Sequence, residues 1–155
     1  MIIETGLKCV VSGSFEKFKS EIDRTIEEFR DLGIQVLAPD TGWILKPKYQ
    51  ILTPTHSNFR PLPAERGMSV RQVEDSFLSA LRNSDFQYVE DPGGYVGDVA
   101  ALEIGFALAC EVLIFSRQPI SPTLNFDPMW RERVSQIEPL EPAKVVEKVI
   151  SSKAK

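Results

Sequence analysis

The chain has one histidine and two cysteines, and that scarcity closes off several chemistries. With His56 alone, the ligand set of an ordinary zinc site is missing, so no metal is expected. Cys9 falls in an apolar run and Cys110 at the end of an apolar helix. Both read as small buried hydrophobes rather than as a disulfide. No apolar run reaches the roughly 18 residues that a membrane span needs. The opening MIIETGLKCVVSG has neither the basic start nor the small-residue cleavage site of a secretory signal. A cytoplasmic protein with no membrane contact is therefore expected. Positive charge is short as well: 18 Lys and Arg against 22 Asp and Glu give a net charge of -4. That balance argues against a nucleic-acid polymer as partner, since such domains carry basic patches. It leaves open a small nucleotide held by backbone N–H groups.

What is present is a composition of a globular chain, 43% apolar and 26% charged over 155 residues. One domain spanning residues 1–155 is expected, long enough to bury a core. No internal repeat or low-complexity tract is visible. Leu7–Gly13 is a short apolar run of strand type. Phe15, Phe18, Ile22, Ile26, Phe29 and Leu32 then recur at helical spacing, with Ser14 placed as N-cap and Gly33 where the helix stops. Ile34–Pro39 reads as a second strand, and strand–helix–strand implies a parallel sheet. Ser69 and Gln72 fit a capping box ahead of Val70, Val73, Phe77 and Leu81. Phe86–Glu90 and Glu111–Ser116 read as strands, and a last helix starts near Pro142. The expected fold is a single α/β, doubly wound parallel sheet flanked by helices, Rossmann-like or flavodoxin-like. Residues 41–68, broken by Pro47, Pro54, Pro61 and Pro63, are too long for a plain loop and read as a lid or insertion.

Ligands of such sheets bind outside the carboxyl ends of the strands. Three turns fall there: Ser12-Gly13-Ser14-Phe15, Asp40-Thr41-Gly42-Trp43, and the segment from Asp91 to Asp98. The first leads into a helix N-terminus, an anion site or equally a plain tight turn. The last holds Gly93, Gly94 and Gly97 around Tyr95, in neither a dinucleotide nor a P-loop spacing. Asp98 is expected to cap the helix that follows. From Val99 to Cys110 that helix is apolar or glycine except for Glu103. A lone carboxylate in such a helix costs several kcal/mol unless it is paired or neutralised. It is either a crevice-facing nucleophile or acid/base group, or the partner of Arg82, Arg117 or a backbone N–H.

The pattern GYVG…ALEIGFALA after a strand ending in acids, with the first strand leading into Gly-Ser-Phe, resembles the nucleoside 2-deoxyribosyltransferase-like family. That family includes 2'-deoxynucleoside 5'-phosphate N-hydrolases, and the resemblance covers residues 7–15 and about 85–116. It implies that Glu103 is the nucleophile attacking the anomeric carbon of a (deoxy)nucleoside or nucleoside 5'-monophosphate. Glu90 or Asp91 would be the acid/base group, with Tyr95 beside the reacting centre. Ser12, Gly13, Ser14, Phe15, Asp40, Trp43, Gly94, Gly97 and Asp98 would shape the substrate site. Transfer to a second base or to water would follow, with no metal or redox cofactor, in a homo-oligomer. The chain departs from the pattern at Gly97, where members carry Asp six residues before the nucleophile. Cys110-Glu111-Val112 likewise replaces a common Gly-Lys-Pro. The missing Asp at position 97 and the extra 41–68 segment favour a rival reading, a nucleotide-binding module without catalysis. A third reading is a purely structural domain in which Glu103 is paired. Pro92-Gly93-Gly94-Tyr95 is also similar to the turn of cytokinin-type phosphoribohydrolases, which place their Glu sooner after it.

Overall fold

A computed structural model describes residues 3–39, 67–121 and 128–154, the side chains of Glu16 and Val70 excepted. Four largely apolar runs, with the dipeptide Glu138–Pro139, become five parallel strands, β1 (Lys8–Ser12), β2 (Gln35–Ala38), β3 (Phe86–Val89), β4 (Leu113–Ser116) and β5 (Glu138–Pro139). Between and after them lie α1 (Phe15–Asp31), α2 (Val70–Arg82), α3 (Asp98–Ala109), α4 (Pro128–Val134) and α5 (Pro142–Lys153). The strand order is β2-β1-β3-β4-β5, the flavodoxin-like order, so the expected α/β architecture is what forms. Two short elements, α4 and β5, lie where the sequence suggested no regular structure.

Parallel strands are buried on both faces, and here two separate cores result. Cys9, Val11, Phe86, Tyr88 and Phe115 meet Ile22, Ile26 and Phe29 of α1 and Val145, Val146 and Val149 of α5. Phe29 sits at the centre, its ring centroid 5.0 Å from Tyr88 and 5.4 Å from Phe86. On the other face Val10 packs with Phe77 and Leu81 of α2 and Ala107 of α3. Val89 packs there with Ala100 and Ile104. The small residues of α3 let it lie close to the sheet.

Helix ends follow local chemistry. Ser69 and Gln72 form the capping box, with bonds of 3.1 and 2.8 Å. Ser14 is the N-cap of α1, although its hydroxyl makes no capping bond. The N-cap of α3 is Gly97 rather than the expected Asp98, which is the first helical residue and lends its charge to the helix dipole instead. Both cysteines are free thiols, and burial pushes the Cys9 thiol far above its usual range, which keeps it inert. Among the described residues no helix is long and apolar enough to cross a membrane. No group of three His, Cys, Asp or Glu side chains there is placed to hold a metal.

Register sets the position of the site. Ser12 pairs with Val89, and Val89 with Ser116, so β1, β3 and β4 end level with one another. The chain reverses its order of strand addition between β1 and β3, which opens the crevice at their carboxyl ends.

Candidate active site

Glu90 and Asp91 follow β3 directly, and neighbours leaving a strand diverge. Glu90 continues the Phe86–Tyr88 side, the side of α1 and α5. It is 3% exposed and accepts from the Thr25 hydroxyl and from Arg117 Nε at 3.1 Å. The Arg117 guanidinium also binds Glu28 at 3.1 Å and Glu141 at 2.5 Å. One arginine therefore ties α1, the end of β3 and the start of α5 together. The open cleft beside it, about 290 Å³, is lined by Glu21, Arg24, Glu28, Glu90 and Arg117 among others. Removing one member of a buried pair strands the other. Arg117→Met is expected to lower unfolding free energy by about 3–5 kcal/mol in urea titrations.

Asp91 is fully buried. Its Oδ1 accepts the Gln118 N–H at 2.9 Å, while Oδ2 is buried without a hydrogen-bond partner. Burial, with the charge of Glu90 adding to it, raises the carboxyl to about 7 against the pull of backbone N–H donors. A carboxyl near that value exchanges protons readily at neutral pH.

Glu103 is 5% exposed and points from α3 toward the end of β1. Its carboxylate takes a hydrogen bond from the Ser12 hydroxyl and touches the carboxyl of Glu74 on α2. Burial first, and then the Glu74 charge, holds Glu103 well above the usual carboxylate range. Behind Ser12, Gln87 donates from Nε2 to the Ser12 Oγ at 2.8 Å. Because that hydroxyl already accepts, its one proton is free to go to Glu103. Among the described residues no ion pair reaches Glu103: Arg117 is engaged as above and Arg82 lies over the Phe106 ring. The oddity in the helix is thus a carboxyl at the strand ends, in contact with a hydroxyl and a second acid.

The glycines of the surrounding turns permit close approach. A side chain at Gly13 would place Cβ 2.9 Å from the Glu90 carbonyl, so this glycine lets β1 leave beside β3. Gly94 has φ +78°, and a Cβ there would fall 2.5 Å from the Pro119 carbonyl. Its own carbonyl accepts from Ser121 N at 2.9 Å, pinning the β3 turn to the β4 turn. Tyr95, half-buried, turns its ring toward α1: Phe18 meets it edge-on at 6.0 Å and Lys17 Nζ sits 3.9 Å from its centroid. Its hydroxyl lies over Gly97. Phe15 packs against the α1 core, Ser14 sits half-buried at the helix start, and Asp98 is exposed. Asp40 and Trp43 lie outside the described residues, as does nearly all of the 41–68 segment.

The structure thus joins Ser12 to Glu103, holds Asp91 at the same strand-end edge, and sends Glu90 to the opposite side. Sequence reasoning did not single out Glu74, Gln87 or Lys17. Glu74 looks like any charge on an amphipathic helix, and only the packing of α2 beside α3 reveals it.

With this geometry in view, comparison with known proteins is informative about fold. No protein-family model and no curated protein matches the chain. Among solved structures, the CMP N-glycosidase BcmB of Clostridium botulinum is similar, with a TM-score of 0.52 at 16% identity. The match covers 94% of this chain and 98% of that one. The likeness is one of fold.

Proposed function

We propose that the chain cleaves or transfers the N-glycosidic bond of a (deoxy)nucleoside or nucleoside 5'-monophosphate, with Glu103 as nucleophile. The observation that carries this reading is a buried carboxyl at the strand-end crevice, oriented by Ser12 and, among the described residues, paired with no cation. That the similar fold of BcmB is named a CMP N-glycosidase supports the choice of bond.

In the proposed reaction Glu103 attacks the anomeric carbon as the bond to the base nitrogen breaks. Asp91, protonated, gives its proton to the departing base. The glycosyl ester on Glu103 is then attacked by water or by a second base, from which Asp91 takes a proton, and Glu103 leaves as carboxylate. Glu90, neutralised by Arg117, holds the scaffold. Tyr95 packs beside the sugar, and the α1 N-terminus with Lys17 receives a 5'-phosphate when one is present. The same reading expects a homo-oligomer.

The test is incubation with a panel of nucleosides and 5'-monophosphates, with and without an acceptor base, and chromatography of released base. Release that disappears in Glu103→Ala supports the reading, whereas nucleotide binding without turnover supports the inactive module that Gly97 favours. Lys17→Ala is expected to raise KM for the monophosphate about tenfold, one charge-assisted contact, while KM for the nucleoside stays unchanged.

A further inference from the structure

The two acids that follow β3 are met by the two residues that follow β4. Val89 pairs with Ser116 at the strand ends, and beyond them Glu90 meets Arg117 and Asp91 meets Gln118. Arg117 offers Glu90 a cation, with Nε at 3.1 Å, whereas Gln118 offers Asp91 a neutral backbone N–H at 2.9 Å. The backbone that carries this N–H is itself fastened twice. The Gln118 carbonyl accepts the Ser116 hydroxyl at 2.7 Å, and the Gln118 side-chain Oε1 accepts the Gly93 N–H at 3.1 Å. On the facing turn the Gly94 N–H returns to the Asp91 carbonyl at 2.7 Å. Asp91 is thus seated between the exits of β3 and β4, and two side chains lock those exits together. Ser116 is fully buried, while Gln118 lies at the surface.

A carboxyl oxygen that accepts an N–H is the carbonyl oxygen of the protonated acid, so the proton takes the other oxygen. In Asp91 that other oxygen is Oδ2, buried and without a hydrogen-bond partner among the described residues. We propose that Ser116 and Gln118 are the positioning residues of Asp91: by fixing the backbone at 118 they keep its N–H on Oδ1 and leave Oδ2 to carry the proton that the departing base receives. This rests on the reading of Asp91 as the acid of the reaction. The charged groups around it are disposed to match. Glu90 adjoins Asp91 and disfavours its ionised form. The Arg117 guanidinium is turned to Glu28, Glu90 and Glu141. The turn Pro92–Gly94 and the end of β1, Ser12 and Gly13, carry no charge. On α3 Asp98 is exposed and Glu103 engages Ser12 and Glu74.

The experiment pairs a pH titration with kinetics on two leaving groups, using the variant that carries both Ser116→Ala and Gln118→Ala. Carbon-13 NMR of protein labelled at the aspartate side-chain carboxyl leaves the glutamates silent, and Asp91→Asn identifies the Asp91 step near 7. Loosening the N–H on Oδ1 removes support from the anion, so the double variant should move that step up by roughly one unit. Its kcat for base release from nucleosides should fall about tenfold with KM little changed. Cleavage of a nitrophenyl deoxyriboside, whose phenolate leaves without a proton, should stay within about twofold of the parent. Gln118→Glu, which still accepts from Gly93, should keep its rate on nucleosides within about twofold. An Asp91 step that stays in place in the double variant, or equal slowing on both leaving groups, would overturn the positioning role. A step that moves, in a protein whose Asp91→Asn variant releases base as the parent does, would uphold the clamp and sink the acid reading. Base release lost in Asp91→Asn with the step unmoved by the double variant would do the reverse.

Discussion

Glu103→Gln is expected to abolish base release, by about four orders of magnitude or more, while the fold remains intact and gains stability at alkaline pH. The loss follows from chemistry: an amide cannot form and release a glycosyl ester, and removal of a nucleophile disables both steps. The gain follows from linkage. Burial and Glu74 raise the folded Glu103 above its usual value of 4.5, so the folded state holds this proton more tightly than the unfolded chain. The contribution is full below about 4.5 and is lost as pH rises through the higher folded value. Gln carries no such proton. Melting temperatures from pH 5 to 9 should fall for the parent and change less for the variant, with the curves parting as pH rises. A purely structural Glu103 would give the opposite, a variant less stable throughout.

Asp91→Asn is expected to lower kcat/KM by about 10²–10⁴-fold, the usual worth of a general acid. The parent should lose activity as pH rises through about 7, where the Asp91 carboxyl gives up its proton. The variant should lack that limb. Substrates whose leaving group departs without protonation should be cleaved by both at similar rates. Folding stability follows the same sign as for Glu103. The folded value of Asp91 is raised from 3.8 to about 7, so its contribution is full below the former and lost through the latter. Glu90→Gln, by contrast, should act through stability, because its carboxylate joins the Arg117 network and not the crevice.

These two acids show where the sequence stops being legible. Glu90 and Asp91 are adjacent, and β3 is buried on both faces, so no polar alternation announces which side each one takes. The hydrogen bonds of Arg117 and Gln118 decide it. The strands before α3 were readable because buried parallel strands are short apolar runs between turns. The Ser69–Gln72 cap was readable because both halves of its chemistry lie within one turn. β5, with two paired residues, carries no periodic pattern at all.

Glu103 stood out because it is the one charge in an apolar helix. Glu74 did not, because α2 carries charges on its open face and its sequence holds no sign that one of them turns inward. What identifies it is a contact across 29 positions of chain, Glu74 to Glu103, which only the topology brings about. The site is therefore half local signal and half tertiary placement.

The central claim is that a glycosyl group rests on Glu103 between two half-reactions. The direct measurement is intact-mass analysis after incubation with nucleosides whose sugar carries fluorine at C2, which slows attack on the ester. Peptide mapping then locates any adduct. The account predicts a mass gain of one fluorosugar on the peptide holding Glu103, absent from Glu103→Gln and reversed by added acceptor base. Steady base release with no adduct, or an adduct on another residue, would contradict it.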